Sequence, residues 1–362
     1  MADALVGVEE EFLVVDPHTR AVVPEAAAVV ERASPTLGDQ VCLEITKFQV
    51  ETKTTPTTSP TELLDQLRTL RTTLAAAAEE VGLKVVATGT PVLGDVVPPP
   101  INEGPRYAEG IANYRALHDE QSICAGHVHV HLPDRELAVL ACNHLRPWLP
   151  TLIAMMANSP FWAGRDTGYA SWRTLSWGKW PVAGPPPYFK DLAAYDDLVA
   201  GLTRTGALVD PGTIFWDVRP SARLPTIEVR VTDAPCSVED SVLLAMLSRA
   251  LVATAVEAIE RGDPGPEVQG ELLRAAYWRA ARDGLDGHGV DPSTGELHPA
   301  ADRVTALVDH VAKALEAAGD LAAVATAIDR LTTGAARQRA AYERRQEFAD
   351  VVDFLAGLTA RP

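Results

Sequence analysis

The sequence predicts an α+β fold in which strands gather early and helices late. Three observations carry this. Segments before residue 235 alternate apolar and polar side chains with the period of a strand. Thr61–Val81 and the alanine-rich chain from Val238 onward space their apolar residues as helices do. With 47% hydrophobic and 22% charged residues, the 362-residue chain can bury a sizeable core.

The elements follow in order. Strands are expected over 5–15, 41–51, 83–89 and 122–132, with a helix over Thr61–Val81 (TELLDQLRTLRTTLAAAAEEV). A second helix over 134–157 is expected to bend near Pro147 and Pro150. A loop-rich stretch, 158–190, holds Trp162, Trp172, Trp177 and Trp180. Strands 213–219 and 225–231 follow, separated by the turn-like RPSARLP. The helical remainder breaks at GDPGP (262–266) and at 283–295. GDPGP is a candidate boundary, but the amphipathic helices beyond it should pack back. One domain over 1–362 is expected, sheet-rich through 235 and helical over 236–362.

Composition excludes several functions. A formal charge of −17 leaves no general footprint for nucleic acid or an anionic membrane. No apolar run near ~20 residues is apparent, so no membrane span is expected. The start MADALVGVEEEF lacks a basic-then-apolar leader. Cys42, Cys124, Cys142 and Cys236 form no CxxC pair, which fits a reducing cytoplasm better than a disulfide scaffold. GxxxxGK[ST], GxGxxG after a strand and HExxH are missing.

The strands concentrate chemistry on one face, because successive side chains alternate sides. Val6, Val8, Phe12 and Val14 oppose Glu9 and Glu11, with Glu10 the exception on the apolar side. Val128, Val130 and Leu132 oppose His127, His129 and His131. Ile227, Val229 and Val231 oppose Glu228 and Arg230, and Ile214, Trp216 and Val218 oppose Asp217 and Arg219. In 41–51 the apolar phase flips between Ile45 and Phe48. A single bulge there would restore one apolar face and bring Glu44 and Glu51 together.

A merely solvated face would mix Lys, Thr, Ser and Glu. These faces carry carboxylate, imidazole and guanidinium, with Lys47 the one lysine. Clustered carboxylates repel and call for cations. A carboxylate-rich set with imidazole suits Mg²⁺ or Mn²⁺, while three histidines on one strand leave Zn²⁺ open. Alternate strand residues lie ~6.5 Å apart, so the histidines need not share one ion. Arg219 and Arg230 are either strand-tying ion pairs or a phosphate clamp.

The ordered set GVEEEFLVVDP (7–17), Glu44…QVE51, GHVHV (126–130), NSPFWAGRDTGYASWR (158–173), FWDVRPS (215–221) and TIEVRVTD (226–233) resembles the carboxylate–amine ligase family, glutamate–cysteine ligase type 2. The likeness continues through ARDGLDG (281–287) and GAARQR (334–339). It implies a glutamine-synthetase-like fold whose curved antiparallel sheet forms a funnel. It implies ATP-dependent amide formation through an acyl phosphate, with an amino-acid carboxylate and an amine as partners and Mg²⁺ or Mn²⁺ as cofactor.

By motif, the resemblance makes Glu9, Glu11, Glu44, Glu51, His127 and Glu228 metal ligands. It places Arg230 at the transferred phosphate, and Arg219, on the same polar surface, is a candidate to join it there. Arg173, Arg106, Tyr107 and His129 are candidates for substrate binding, and Arg337 for capping the nucleotide site beside Gln338. Lys47 and His131 depart from the pattern without an evident role. The competing readings are a metal-dependent amidohydrolase built on HVHVH, which needs further histidines such as His144, His288, His298 or His310, and a non-catalytic relative that binds nucleotide or metal. A homo-oligomer is compatible with all three.

Overall fold

The computed structural model describes residues 3–120 and 122–362. Its centre is a seven-stranded antiparallel sheet: β1 (Val6–Val15), β2 (Val41–Leu43), β3 (Gln49–Lys53), β4 (Lys84–Val86), β5 (Ala125–His131), β6 (Val218–Pro220) and β7 (Thr226–Asp233). The order is β6-β7-β5-β1-β3-β2. β4 continues beside β1 at Leu13–Val15, beyond the β5 pairing at Val6–Glu10.

The even residues of β1 and β5 and the odd residues of β7 face helices. Val6, Val8, Val128, Val130, Ile227 and Val229 pack with α4 (Arg135–Leu145), α5 (Leu149–Met155), α8 (Val238–Glu260), α9 (Gly270–Asp283) and α10 (Ala300–Ala318). Phe12 and Val14 pack on α1 (Ala26–Leu37) and α2 (Pro60–Glu80). Past Glu11 the odd face turns apolar, and Leu13 and Val15 meet Val351, Val352 and Leu355 of α13 (Phe348–Ala360). Chemistry is therefore confined to one end of β1. Leu273, Val304, Leu307 and Val311, all beyond GDPGP, share the largest core cluster with the sheet.

Local signals explain the helix ends. Ser59 caps α2 by accepting from Glu62 N at 3.2 Å, with Pro60 at the first helical position. Ser237 and Asp240 form a capping box at the start of α8. The bend near Pro147 is a 3₁₀ turn, Arg146–Trp148, between α4 and α5.

The structure corrects several expectations. Residues 41–51 are not one bulged strand: β2 and β3 form a hairpin, and 44–48 leave the sheet between them. Strand 213–219 breaks at Asp217. Phe215–Trp216 pairs in parallel with Ala183–Gly184, and only β6 joins the main sheet. The break at 283–295 contains a strand, His288–Val290, paired with Leu297–Pro299. α8 also overturns the expectation of no long apolar helix. It is long and apolar enough to cross a membrane, yet 83% of its most apolar window is buried inside the protein.

Glu10, the exception in the β1 pattern, has a physical reason. Arg71 of α2 donates to both its oxygens, Nε at 2.9 Å and Nη2 at 2.6 Å, and Ser241 Oγ of α8 donates to Oε1. Arg71 also donates to the Pro235 and Cys236 carbonyls. A charge on the apolar side is thus paired and hydrogen-bonded, as burial requires.

Candidate active site

One face of the sheet, the odd residues of β1, β3 and β5 and the even residues of β7, lines a cavity of about 810 Å³. Glu9 and Glu11 of β1, Glu51 of β3, His127 and His129 of β5, and Glu228 and Arg230 of β7 all contribute. Register sets the neighbours. Glu9 lies opposite His127 and Lys53, and Glu11 opposite Glu51. Glu228 lies opposite both His129 and Arg219. The β7 ladder shifts between Val229 and Thr232, placing Arg230 on a bulge. Glu44, outside the sheet, reaches the same cavity, so the expected meeting of Glu44 and Glu51 occurs through the hairpin instead of a bulge.

Three donor groups run along this face: Glu9, His129 and Glu228; Glu9, Glu51 and His127; and Glu11, Glu44 and Glu51. Within each, one ligand atom per residue lies within 4.8 Å of the others. Glu9 and Glu51 each belong to two groups, so the sites form a chain. His127 Nε2 and His129 Nε2 are buried without a hydrogen-bond partner. Unpartnered imidazole nitrogens beside facing carboxylates are a donor set that fits hard divalent cations such as Mg²⁺ or Mn²⁺.

The electrostatics agree. Burial pushes the Glu11 carboxyl up to about 8, and the facing Glu44 adds to the shift. Burial likewise raises Glu44, and burial with Glu44 beside it raises Glu51 well above its ordinary value. For Glu228, burial is outweighed by Arg230 and Arg219, which hold it well below the usual range. For Glu9, the facing imidazoles of His127 and His129 overcome burial in the same way. His127 falls to about 4 through burial and Arg230. One end of the row is therefore paired with cations, while at the other burial and carboxylate repulsion outweigh the pull of Arg173 and Arg230.

Arg219 Nε donates to Glu228 Oε2 at 2.9 Å, and Arg230 Nη1 donates to Glu228 Oε1. Both arginines are ion-paired, as the strand-tying reading expects, and both also line the cavity. Arg173 lines it as well, from α6 (Trp172–Trp177). Arg106 and Tyr107 line it from α3 (Pro105–Tyr114), where Arg106 pairs with Asp210 at 2.9 Å. His131 reaches the rim, and His129 joins a donor group beyond its expected substrate role.

Other expectations fail. Arg337 does not line the cavity. It pairs with Asp240 at 3.2 Å, while Gln338 bonds Asn158 and Thr88 in the core. Lys47 is off the cavity wall, and Lys53 is the lysine on it. Asp217 is buried away from the cavity, its carboxyl raised to about 6 by burial. Trp162 and Trp172 lie elsewhere, whereas Trp177 and Trp180 form a wall with Phe215, Tyr114 and His118. His144, His288, His298 and His310 are absent from the lining, so the hydrolase constellation does not form. The alternation of β3 runs past residue 51 and brings Lys53 onto the wall; Gln49 lies there too, but carries no ionisable group to mark it.

Comparison with known proteins fits this geometry. The profile of glutamate–cysteine ligase family 2 matches residues 5–354. The chain belongs to that family. Its relatives in glutamate–cysteine ligase family 2 include a protein of Mycobacterium sp. strain KMS, provisionally named glutamate–cysteine ligase 2-2. That protein is 44% identical over 366 residues, covering 99% of both chains. Another is a protein of Salinispora tropica, provisionally named glutamate–cysteine ligase 2, 46% identical over 98% of this chain and 94% of its own length. The glutamate–cysteine ligase of Francisella tularensis in complex with AMP shares the fold. Its TM-score is 0.73 at 13% identity, over 99% of this chain and 88% of that one. A bifunctional glutathione synthetase from Pasteurella multocida gives 0.71 at 14% identity, over 99% of this chain and 52% of that one.

Proposed function

We propose that the chain is an ATP-dependent carboxylate–amine ligase that forms an amide through an acyl phosphate. The observation that carries this is the chain of three donor groups, linked through Glu9 and Glu51, running along one sheet face to the Arg219–Glu228–Arg230 cluster. Glu9, Glu11, Glu44, Glu51, His127, His129 and Glu228 would hold the divalent cations. When bound, Mg²⁺ or Mn²⁺ supplies the charge neutralisation that lets a triphosphate and a carboxylate approach.

The protein's own groups do the rest. Glu228 fixes the two guanidinium groups, so Arg219 and Arg230 present oriented positive charge to a phosphoryl group in transfer. Arg230 Nε is buried without a partner and is free to donate. The carboxylate attacks the γ-phosphorus and ADP leaves. The amine then attacks the acyl carbon, phosphate leaves, and the amine gives up a proton.

L-Glutamate and L-cysteine, the pair in the names of the relatives, are the first substrates to try. Four free cysteines support a reducing cytoplasm as its place. The test is ADP release from the purified protein with Mg²⁺-ATP against single amino acids and then pairs, with product masses recorded. A product mass equal to the two substrates less water, with ADP formed only when both are present, is the expected result. ADP formed with no condensed product, or bound Zn²⁺ with hydrolysis of amides, overturns it.

A further inference from the structure

α3 lines the cavity while burying almost nothing of itself. Arg106, Tyr107, Gly110 and Tyr114 contribute to the lining, yet Gly110 is the one buried residue of the helix. α3 therefore stands between the cavity and solvent without a core of its own. Segments with so few buried contacts open without unfolding the rest.

The attachments of α3 reach both edges of the sheet. The chain leading into it is fixed to the 44–48 loop between β2 and β3. Lys47 N donates to the Pro100 carbonyl at 2.8 Å, and Asn102 N donates to the Ile45 carbonyl at 2.9 Å. Asn102 Nδ2 donates to the Glu44 carbonyl at 2.6 Å. The helix itself is fastened to the 205–213 loop. Asn113 Nδ2 donates to the Gly206 carbonyl at 3.0 Å, Tyr114 Oη donates to the Ala207 carbonyl at 3.1 Å, and Arg106 pairs with Asp210 at 2.9 Å. Arg219 of β6 holds that loop in turn, donating to the Gly212 carbonyl at 3.1 Å. β2 and β6 are the edge strands, so α3 bridges one edge to the other across the cavity.

The fastenings are unequal. The chain before α3 is held by backbone pairing, including a bridge between Thr46 and Ile101. The chain after it is held by His118, which is buried and packs edge-on against Trp180 with ring centroids 5.9 Å apart. Between these anchors the ties are weak. Asn113 is exposed, and the Arg106–Asp210 pair is 49% and 35% exposed, where an ion pair contributes little. Gly104 enters the helix at a φ of 155°, which other residues rarely adopt, and Arg115 leaves it at a φ of 53°. These are two pivots around a loosely held helix.

We infer that α3 is a hinged cover: it lifts from the 205–213 loop to pass ligands, and a filled site holds it down. The second clause follows from the anchors. Glu44 and Arg219, proposed above to meet the cations and the phosphoryl group, are each bonded to a segment that holds α3. A ligand that engages both residues binds the fastened form more tightly and shifts the population toward it. This coupling rests on the ligase reading; the cover itself does not.

Trypsin reads the cover directly, since Arg115 is exposed at its end and cleavage tracks the population of the lifted form. Cleavage after Arg115 should slow at least about 10-fold with Mg²⁺ and ADP present. Cleavage after Arg344, in the exposed turn before α13, should not change. Asn113→Ala combined with Tyr114→Phe removes two fastenings and keeps the aromatic ring and the Arg106–Asp210 pair. It should speed cleavage after Arg115 at least about 3-fold, with Arg344 again unchanged as the sign of an intact fold. Cys42 gives a readout that needs no ligand. It lines the cavity, is the cysteine of the four that is not buried, and lies near enough to Tyr107 to interact with it. Its labelling by a bulky maleimide should quicken by a similar factor in the same variant. Unchanged cleavage and labelling in that variant overturn the cover. Unchanged cleavage with Mg²⁺ and ADP, where equilibrium dialysis shows the ADP bound, overturns the coupling. Absence of bound ADP is instead a failure of the nucleotide reading, and the variant then decides the cover alone.

Discussion

Glu228 holds two arginines while facing His129, which places it between the cationic and carboxylate parts of the site. The alternation of β7 puts it on the cavity face, but that face is enclosed: the residue is 2% exposed. Glu228→Gln removes the charge and keeps the shape. Under the proposed chemistry, kcat should fall by at least about 100-fold, because a donor to the cation and the orienter of two phosphate-facing groups are lost together. Arg219 and Arg230 are then left less compensated, so stability should drop by about 1–3 kcal/mol, read from a urea midpoint. Unfolding without a separable kinetic effect would make the residue an ion-pair strut.

At this scale the sequence was informative where period-2 alternation applied: Glu9, Glu11, His127, His129, Glu228 and Arg230 all line the cavity. Arg337 was misplaced because a helix far along the chain carries no register with the sheet. Lys53 was missed by stopping a strand two residues early.

Among the elements, α2 is tied to β1 and α8 through one buried ion pair, Arg71 with Glu10, at 0% and 1% side-chain exposure. This pair secures the strand that carries Glu9 and Glu11. Arg71→Met leaves the Glu10 carboxylate buried against Ser241 alone, at a cost of about 3–5 kcal/mol. Glu10→Gln combined with Arg71→Met should recover part of that loss, since the unpaired charge is gone. Equilibrium denaturation of the three variants checks this, and a single-variant loss below about 1 kcal/mol would mean the pair is no clamp. The pairing joins residues 61 apart, so the sequence showed only an odd glutamate on an apolar face. Elements were legible where a cap and a long period coincide, as in α2. The β2–β3 hairpin was not, since a turn and a bulge both repair a flipped phase. α1 was hidden by Pro35 inside it, and α3 by having Gly110 as its one buried residue.

For the molecule as a whole, the carboxylate cluster links stability to pH and to divalent cations. Glu11, raised to about 8, binds its proton in the folded state where the unfolded group, near 4.5, has released it. The folded state therefore holds more protons between those values, and metal-free stability falls as pH rises through them. Glu44 and Glu51, also raised, act with the same sign. So does His129, raised by Glu9 and Glu228 against burial, whose stabilisation is lost as it deprotonates. His127, lowered to about 4, acts oppositely, but its contribution is complete once an unfolded imidazole near 6.5 has deprotonated. Glu9 and Glu228, both lowered, are ionised in both states throughout this range. Between about pH 7 and 8.5 the cluster therefore sets the slope. Cations that occupy it displace protons at low pH and relieve repulsion at high pH, so the gain in Tm from Mg²⁺ should grow across the window by roughly 5 °C. Thermal unfolding of the chelated and the Mg²⁺-loaded protein at each pH measures it. Glu11→Gln should flatten the chelated profile, because that side chain no longer titrates. A Mg²⁺ gain that is constant with pH would place the cation elsewhere and detach the carboxylate row from the proposed chemistry.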